Sequence, residues 1–325
     1  MDVNAPLAST PLVRLVGLGP RPRAARAASR TPGSAVLAVS VAAVTVGGVA
    51  LDEAWSAPGD LDPTFADVGR KSDFGYSSAL QSLDVRNDES ILFAGGADYD
   101  TYYCYYYGTC ELVDTFGMLS ALGVPEPAFV PPDLDDTVIY DAALQSDGRM
   151  VATGRARQPD GRQKPVVLRL MPDGALDPGF GGGGQVVISD GTDSFESGNS
   201  ILVQADARIV VAGSSNSRVM AARLLANGTL DETFGTGGVF RSNAALTTAT
   251  PVRIGTVAGG GYRLTAYGAT SASCSILALT SNGTVDGGFG GDGVQPAPAT
   301  EGDTIACNSL VVLTDGRLLL GGTRN

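Results

Sequence analysis

Downstream of residue 56 the apolar residues come in short runs broken by Gly, Asp and Asn, and the same runs return at a spacing near 55. One recurring block reads Leu61-Asp62-Pro63-Thr64-Phe65, Leu176-Asp177-Pro178-Gly179-Phe180, Leu230-Asp231-Glu232-Thr233-Phe234 and Val285-Asp286-Gly287-Gly288-Phe289, with a degenerate copy at Glu126-Pro127-Ala128-Phe129. A second block keeps the same phase: Asn87-Asp88 before ILFAGG, Asp147-Gly148-Arg149 before MVATG, Asp206-Ala207-Arg208 before IVVAG, Gly261-Tyr262-Arg263 before LTAYG and Asp315-Gly316-Arg317 before LLLGG. Five units follow, starting near residues 61, 125, 176, 230 and 285.

Each unit reads as four short strands. The first follows the Phe-Gly turn (Val186 to Ile188, Val239 to Arg241), and the second and third (Ile201 to Gln204, Arg208 to Ala212) flank an Asp-Gly-like turn whose residues tolerate positive φ. The fourth, Val219 to Leu225 or Val166 to Leu170, leads into Asn227-Gly228 or Asp173-Gly174. The third strand is apolar at consecutive positions, Ile209-Val210-Val211-Ala212 and Leu318-Leu319-Leu320, where a half-exposed strand would alternate. A strand of that pattern is covered on both faces. Four-stranded sheets stacked face to face around an axis cover every inner strand in this way, so the expected fold is an all-β propeller of about five blades. Gly213 and its counterparts Gly95, Gly154 and Gly268 are expected to end the strand where backbones crowd, and the repeated Phe to act as a wedge between blades rather than a ligand platform.

The pairing of LDPTF with QxDGR-IVVAG and ARLLANGTLDETFG resembles the delta-60 repeat family of bacterial exported proteins over residues 59 to 322. The resemblance implies β-propeller blades; it implies no activity and supplies no catalytic residues. The chain departs from the pattern in its first unit, at Glu126, and at the C-terminus, where the fifth unit stops after its third strand. The last blade is therefore incomplete, or closed by an N-terminal strand at Ala50 to Ser56 that would cover an edge otherwise open to aggregation.

Residues 1–56 have a different character. Five arginines, Arg14 to Arg30, precede an uncharged Ala/Val/Gly run from Ser34 to Leu51 and small-residue sites at Gly48–Ala50 and Ala54–Ser56, the order of a signal peptide or, uncleaved, of a membrane anchor. The reading is an exported chain with residues 57–325 as its propeller domain, extracytoplasmic and touching a membrane only through the N-terminal segment.

Charge and composition then narrow the chemistry. Net charge is −12, and the residues after 56 hold 17 basic and 31 acidic side chains, a balance that repels phosphate backbones and excludes nucleic acid as a partner. There is no histidine, which removes Ser-His-Asp and Cys-His nucleophile systems and imidazole metal ligands. Four cysteines suit an oxidising compartment: Cys104 and Cys110 bracket a tyrosine-rich stretch and Cys274 and Cys307 lie in neighbouring units, though three connectivities and free buried thiols all fit the spacing.

Of the remaining candidates, Gly288 to Gly293 matches GxGxxG but precedes Pro296 and Pro298 rather than a helix, and is read as a turn. Asn227-Gly228-Thr229 and Asn282-Gly283-Thr284 match a glycosylation sequon at the phased turn and are also read as turns. Acidic groups Asp98 with Asp100, and Asp133 with Asp135 and Asp136, offer oxygen ligands for Ca²⁺ without a complete calcium loop; otherwise no cofactor is expected. Tyr102, Tyr103, Tyr105, Tyr106 and Tyr107 form an amphipathic cluster of the kind that stacks on sugars or docks proteins. The functional expectation is a non-enzymatic interaction scaffold for a protein or glycan; the alternative is a polysaccharide hydrolase or lyase working through paired carboxylates.

Overall fold

The computed structural model describes residues 78–324 apart from 87, 98–112, 128, 130–133, 135–136, 190–195, 244–245, 248–251, 269–272 and 299–304. All of these belong to one of two compact units of the chain, Phe74–Asn325. The described residues form only strands, turns and irregular segments, and none of them lies in a helix long and apolar enough to cross a membrane.

Among the described residues the strands form four hydrogen-bonded antiparallel sheets, and the largest, of nine strands, divides at a two-residue bridge strand into two, giving five blade-like sets that are called sheets below. The first holds β1 (Ser78–Val85), β2 (Ile91–Ala97) and β3 (Val113–Leu119). The second and third are four-stranded: β4 (Thr137–Leu144), β5 (Met150–Arg157), β6 (Gln163–Leu170) and β7 (Gln185–Val187), then β8 (Glu196–Val203), β9 (Ile209–Ser215), β10 (Arg218–Leu224) and β11 (Val239–Arg241). A two-residue strand, β12 (Leu246–Thr247), bridges the third sheet to the fourth, which holds β13 (Ile254–Thr256), β14 (Tyr262–Gly268), β15 (Cys274–Leu279) and β16 (Val294–Pro296). The last sheet comprises β17 (Ile305–Val312) and β18 (Leu318–Arg324). The first strand of each sheet contacts the first strand of the next, the succession of a propeller.

Hairpin turns explain why β4–β5 and its counterparts form. In Gln145–Arg149 the Gln145 N–H donates to the Arg149 carbonyl at 2.8 Å, Asp147 Oδ1 accepts the Arg149 N–H at 3.0 Å, and Gly148 takes φ +84°. Leu313–Arg317 repeats this geometry, and Gln204–Arg208 repeats it with Ala207 forced to φ +64° in the glycine slot.

The doubly covered strand is visible in how β5 and β9 divide their side chains. Met150 and Ala152 face a core shared with Leu92 and Met118 of the first sheet, while Val151 turns to a core shared with Ile209, Val211 and Met220 of the third. On β9, Val210 and Ala212 face Leu264 and Leu277 of the fourth sheet instead. Consecutive apolar residues thus fill two different interfaces.

Three sequence expectations change in detail. The short strand after the Phe-Gly turn is not the first of its own unit: β7 pairs with β6 and β11 with β10, so it completes the preceding sheet as its outer strand. The glycines do mark backbone crowding, but β5 and β9 run past Gly154 and Gly213, which sit opposite a bulge in the first strand. A side-chain carbon on Gly213 would stand 1.9 Å from the Ser197 carbonyl oxygen, and one on Gly154 1.7 Å from that of Val138. In the fourth sheet the phase slips by two residues: Val257–Gly261 forms the turn, so Gly261, not Arg263, takes the place of Arg208. The N-terminal closing strand at Ala50–Ser56 lies outside the described residues.

Candidate functional site

Most of the residues singled out in the sequence, Asp98, Asp100, Tyr102, Tyr103, Cys104, Tyr105, Tyr106, Tyr107, Cys110, Asp133, Asp135 and Asp136, lie outside the described residues. The connection carrying the tyrosines leaves β2 at Ala97 and returns to β3 at Val113, a paired position at the end of the sheet opposite the Asp-Gly-Arg turns. Cys274 and Cys307 are joined by a disulfide with Cα atoms 5.7 Å apart, linking β15 to β17. The Gly288–Gly293 segment runs into β16, a strand, and the Asn227 carboxamide oxygen accepts from the Thr229 N–H and hydroxyl within its turn. Among the described residues no three His, Cys, Asp or Glu side chains gather in a way that would hold a metal ion.

Two sets of buried charges remain, and the first is peripheral. Arg169 on β6 donates through Nε to Asp177 Oδ2 at 2.8 Å, stacks 4.5 Å from the centre of the Phe180 ring, and donates through Nη1 to the carbonyl of Ala226 in the next sheet. Arg223 repeats every contact with Asp231, Phe234 and the Ser281 carbonyl. Backbone bonds accompany them: Gly181 N–H donates to Asn227 O at 2.9 Å and Gly235 N–H to Asn282 O at 2.8 Å. Phe180 and Phe234 are fully buried beneath Gly228 and Gly283 of the following turn; a side-chain carbon at Gly283 would collide with the Phe234 ring at 2.7 Å, and one at Gly228 would stand 2.8 Å from the Gly181 nitrogen and 3.1 Å from the Phe180 ring. In the fourth sheet Arg263 of β14 lies over Phe289 at 4.5 Å; its cross-strand partner Ala278 occupies the slot of Arg169 and Arg223, so the arginine has changed strands.

The electrostatics of this set follow its geometry. Hydrogen bonding from Arg149 is the main force holding the Asp177 carboxyl below its ordinary value, aided by the Gly179 N–H and Arg169. Burial alone would push Asp231 up; the Thr233 hydroxyl and N–H together with Arg223 outweigh it and hold Asp231 low.

The second set lies where the first strands meet. A first strand pairs on one side only, so the N–H and C=O groups of its other edge find no partner in the ladder. Side chains of neighbouring sheets take their place. Asp84 Oδ2 accepts the Leu144 N–H at 2.9 Å, Ser82 Oγ donates to the Ala142 carbonyl at 3.3 Å, and Asp141 Oδ2 accepts the Ile201 N–H at 2.8 Å. Arg253 supplies the opposite polarity, donating through Nε to the Asn308 carbonyl at 2.9 Å and through Nη1 to that of Asn199 at 3.2 Å. Burial pushes the Asp141 carboxyl up, against the pull of Arg253, Ser82, the Ile201 N–H and Ser200. Burial likewise lowers Arg253, with Asp141 opposing.

At the end of the sheets that also bears Ala97 and Val113, Glu196 is 1 % exposed and accepts from Lys164 Nζ at 3.3 Å, Arg241 Nη2 at 3.1 Å and Ser215 Oγ at 2.7 Å. None of these central residues stood out in the sequence. The one available signal was a charged residue in a strand slot filled by uncharged residues in most other copies, as Arg253 and Asp141 are.

Fold and buried network together define an all-β propeller repeat protein. Residues 145–180 and 204–234 match the model of a family described as a domain of unknown function (DUF5122) β-propeller. No curated protein matches the chain in sequence. Among solved structures the chain is similar to a protein of unknown function from Bacteroides caccae, 14 % identical over 76 % of this chain and 71 % of that one, with a TM-score of 0.41. It is similar also to the GH43_1 enzyme from Xanthomonas citri complexed with xylose (15 % identical, 75 % and 80 % covered, TM-score 0.39) and to YCF48 from Cyanidioschyzon merolae (13 % identical, 76 % and 93 % covered, TM-score 0.31). Likenesses this distant carry nothing about chemistry.

Proposed function

We propose that this chain is an extracytoplasmic delta-60 repeat propeller that serves as a non-enzymatic interaction scaffold, its partner a protein or glycan. The observation that supports this reading is the use made of the central carboxylates. Asp84 and Asp141 each spend an oxygen on an edge amide of the next sheet, and Glu196 is surrounded by three donors. Carboxylates so engaged hold strands together; a glycosidase needs a pair free to face substrate. The N-terminal order of arginines and apolar residues supports export, the acidic balance argues against nucleic acid, and the tyrosines at 102, 103 and 105–107 supply the contact surface. Calcium, bound by Asp98, Asp100, Asp133, Asp135 and Asp136, would be an accessory to that surface rather than a catalyst.

The second reading, a polysaccharide hydrolase or lyase, is favoured by a single feature, the buried Asp141 carboxyl beside Arg253, which burial shifts upward, the direction a general acid needs. A pull-down and glycan array with the full chain, with and without Ca²⁺, and with a version lacking residues 101–110, decides between them. Partner retention that depends on 101–110 supports the scaffold. Release of oligosaccharides that the Asp141→Asn variant abolishes would replace it with the hydrolase.

A further inference from the structure

We propose that the outer edge of β3 is a docking strand for a partner protein: it takes an extended, antiparallel segment of neutral or basic charge where the three following sheets carry an outer strand of their own. This deepens the scaffold reading by naming a class of partner, and it rests on that reading only in supposing that the partner is a protein.

The sister sheets define what belongs on such an edge. β7 lies on β6, β11 on β10 and β16 on β15, each three residues long and antiparallel. Their end bonds are the same in kind. The Arg169 N–H donates to the Gly184 carbonyl at 2.9 Å, and the Pro165 carbonyl accepts the Ile188 N–H at 2.8 Å. Arg223 with Gly238 and Val219 with Ser242 repeat the pair at 3.0 and 2.9 Å, and Ala278 with Gly293 and Cys274 with Ala297 at 2.8 and 2.9 Å. Each occupant thus presents a carbonyl and, four residues on, the N–H of a buried residue, Ile188, Ser242 or Ala297.

β3 has the same register. Met118 holds the place of Arg169: its carbonyl accepts the Glu126 N–H at 2.9 Å as that of Arg169 accepts the Asp177 N–H at 2.8 Å, and Leu119 bridges Pro125 as Leu170 bridges Leu176. The outward groups are therefore the Met118 N–H, both backbone groups of Phe116 and the Asp114 carbonyl; among the described residues no strand pairs with them. Nor does the following block supply one. Fifteen residues, 181–195, separate Phe180 from β8, but only seven, 130–136, separate Phe129 from β4. Phe129 and Leu134 both pack on the core that the first and second sheets share, and the Leu134 carbonyl accepts the Thr137 N–H at 3.1 Å. The chain is back at β4 by Leu134, which leaves no length for a reversal like Gly181–Gly184 and a strand after it.

The edge is also unguarded. β3 runs for seven residues without Lys, Arg or Pro, whereas β11 carries Arg241 and β16 carries Pro296. Main-chain bonds would supply the affinity, as in strand addition generally. The sister segments QVVI, VFRS and VQPA contain no acid, and a chain of net charge −12 disfavours an acidic newcomer.

Fluorescence anisotropy with the full chain and the labelled peptide Gly-Gly-Gln-Val-Val-Ile-Ser, a copy of residues 183–189, tests the edge. A methyl group on the nitrogen equivalent to Val186 or Ile188, which faces β3, should weaken binding at least about ten-fold, and one at Val187, which faces away, should leave it unchanged. Phe116→Pro removes an outward N–H without touching the ladder to β2 and should abolish binding. Bound peptide should slow hydrogen exchange of 113–119 and of no other strand. Absence of binding at about 1 mM peptide overturns the proposal, as does affinity indifferent to which nitrogen is methylated. Binding seen only after removal of 101–110 overturns it in favour of the chain's own insertion as occupant, and a dimer in sedimentation that Phe116→Pro dissolves does so in favour of a second copy. Partner capture that depends on 101–110 is unaffected by a failure here, so the scaffold reading is judged separately.

Discussion

Asp231 and Asp286 occupy the same place in successive copies, yet they live in different surroundings. The Asp231 carboxylate is 5 % exposed, lies 2.8 Å from Arg223, and forms part of a junction in which the next turn closes over Phe234. Asp286 is 36 % exposed and stands 3.6 Å from an arginine that has moved to the adjacent strand, and Phe289 is only half-buried. Equal spelling in a repeat therefore does not mean equal burden. Among the described residues the block is a buried brace at Asp177 and Asp231, where the Asn227-Gly228 and Asn282-Gly283 turns cover Phe180 and Phe234, and at Asp286 it is a half-exposed ion pair over an aromatic ring.

The sharpest test of this contrast is to remove each acid. Asp231→Ala leaves Arg223 buried without its counter-charge and should lower unfolding free energy by about 3–5 kcal/mol in urea titrations. Asp286→Ala should cost less than about 1 kcal/mol in the same assay; similar losses at both positions would erase the distinction. Next in size, Gly283→Ala combines φ +76° with a clash at 2.7 Å against the Phe234 ring and should cost about 2–4 kcal/mol. Gly316→Ala has φ +83° but open space around it, and should cost about 1–2 kcal/mol, read from melting temperatures of the two variants.

A smaller effect probes the displaced arginine. Arg263→Val should lower stability by about 1 kcal/mol through loss of its stacking on Phe289, and adding Ala278→Arg, which restores the arrangement of the earlier copies, should recover it. The least change is expected from pH. Asp177 and Asp231 have folded values below the 3.8 of the unfolded chain, so their contribution is complete above that pH and is lost as pH falls through the lower folded values. Acid unfolding followed by circular dichroism should therefore begin below about pH 4 and be blunted in Asp231→Asn.

Much of the fold was legible in the chain. Phased Leu-Asp-x-x-Phe and Asp-Gly-Arg blocks located the copies, and the unbroken apolar run Ile209 to Ala212 identified a strand covered on both faces. What escaped was pairing. Three residues such as Gln185–Val187 carry no signal of which neighbour they bond, and the decision in favour of β6 comes from the chain reversal at Gly181–Gly184, where glycines at positive φ turn the strand back. The two-residue slip in the fourth sheet escaped for a related reason: Gly259, Gly260 and Gly261 allow a turn at more than one register, and the arginine at 263 imitates the motif. The central caps escaped because Asp84, Asp141 and Arg253 do not repeat; each answers a need of one edge, which no periodic reading detects.

The outer strand of each sheet is encoded after the block that opens the next copy, so the unit of sequence and the unit of structure are out of step. Excising residues 176–229 at the sequence boundaries would take β7 from one sheet and β8 to β10 from the next, leaving β11 to serve a stranger. A genetic exchange that moves a whole sheet cuts between β7 and β8, whereas one at the sequence boundaries works only because β11 can take the place of β7 on β6. Copies in this chain are interlocked links, each closed by the strand that opens its successor.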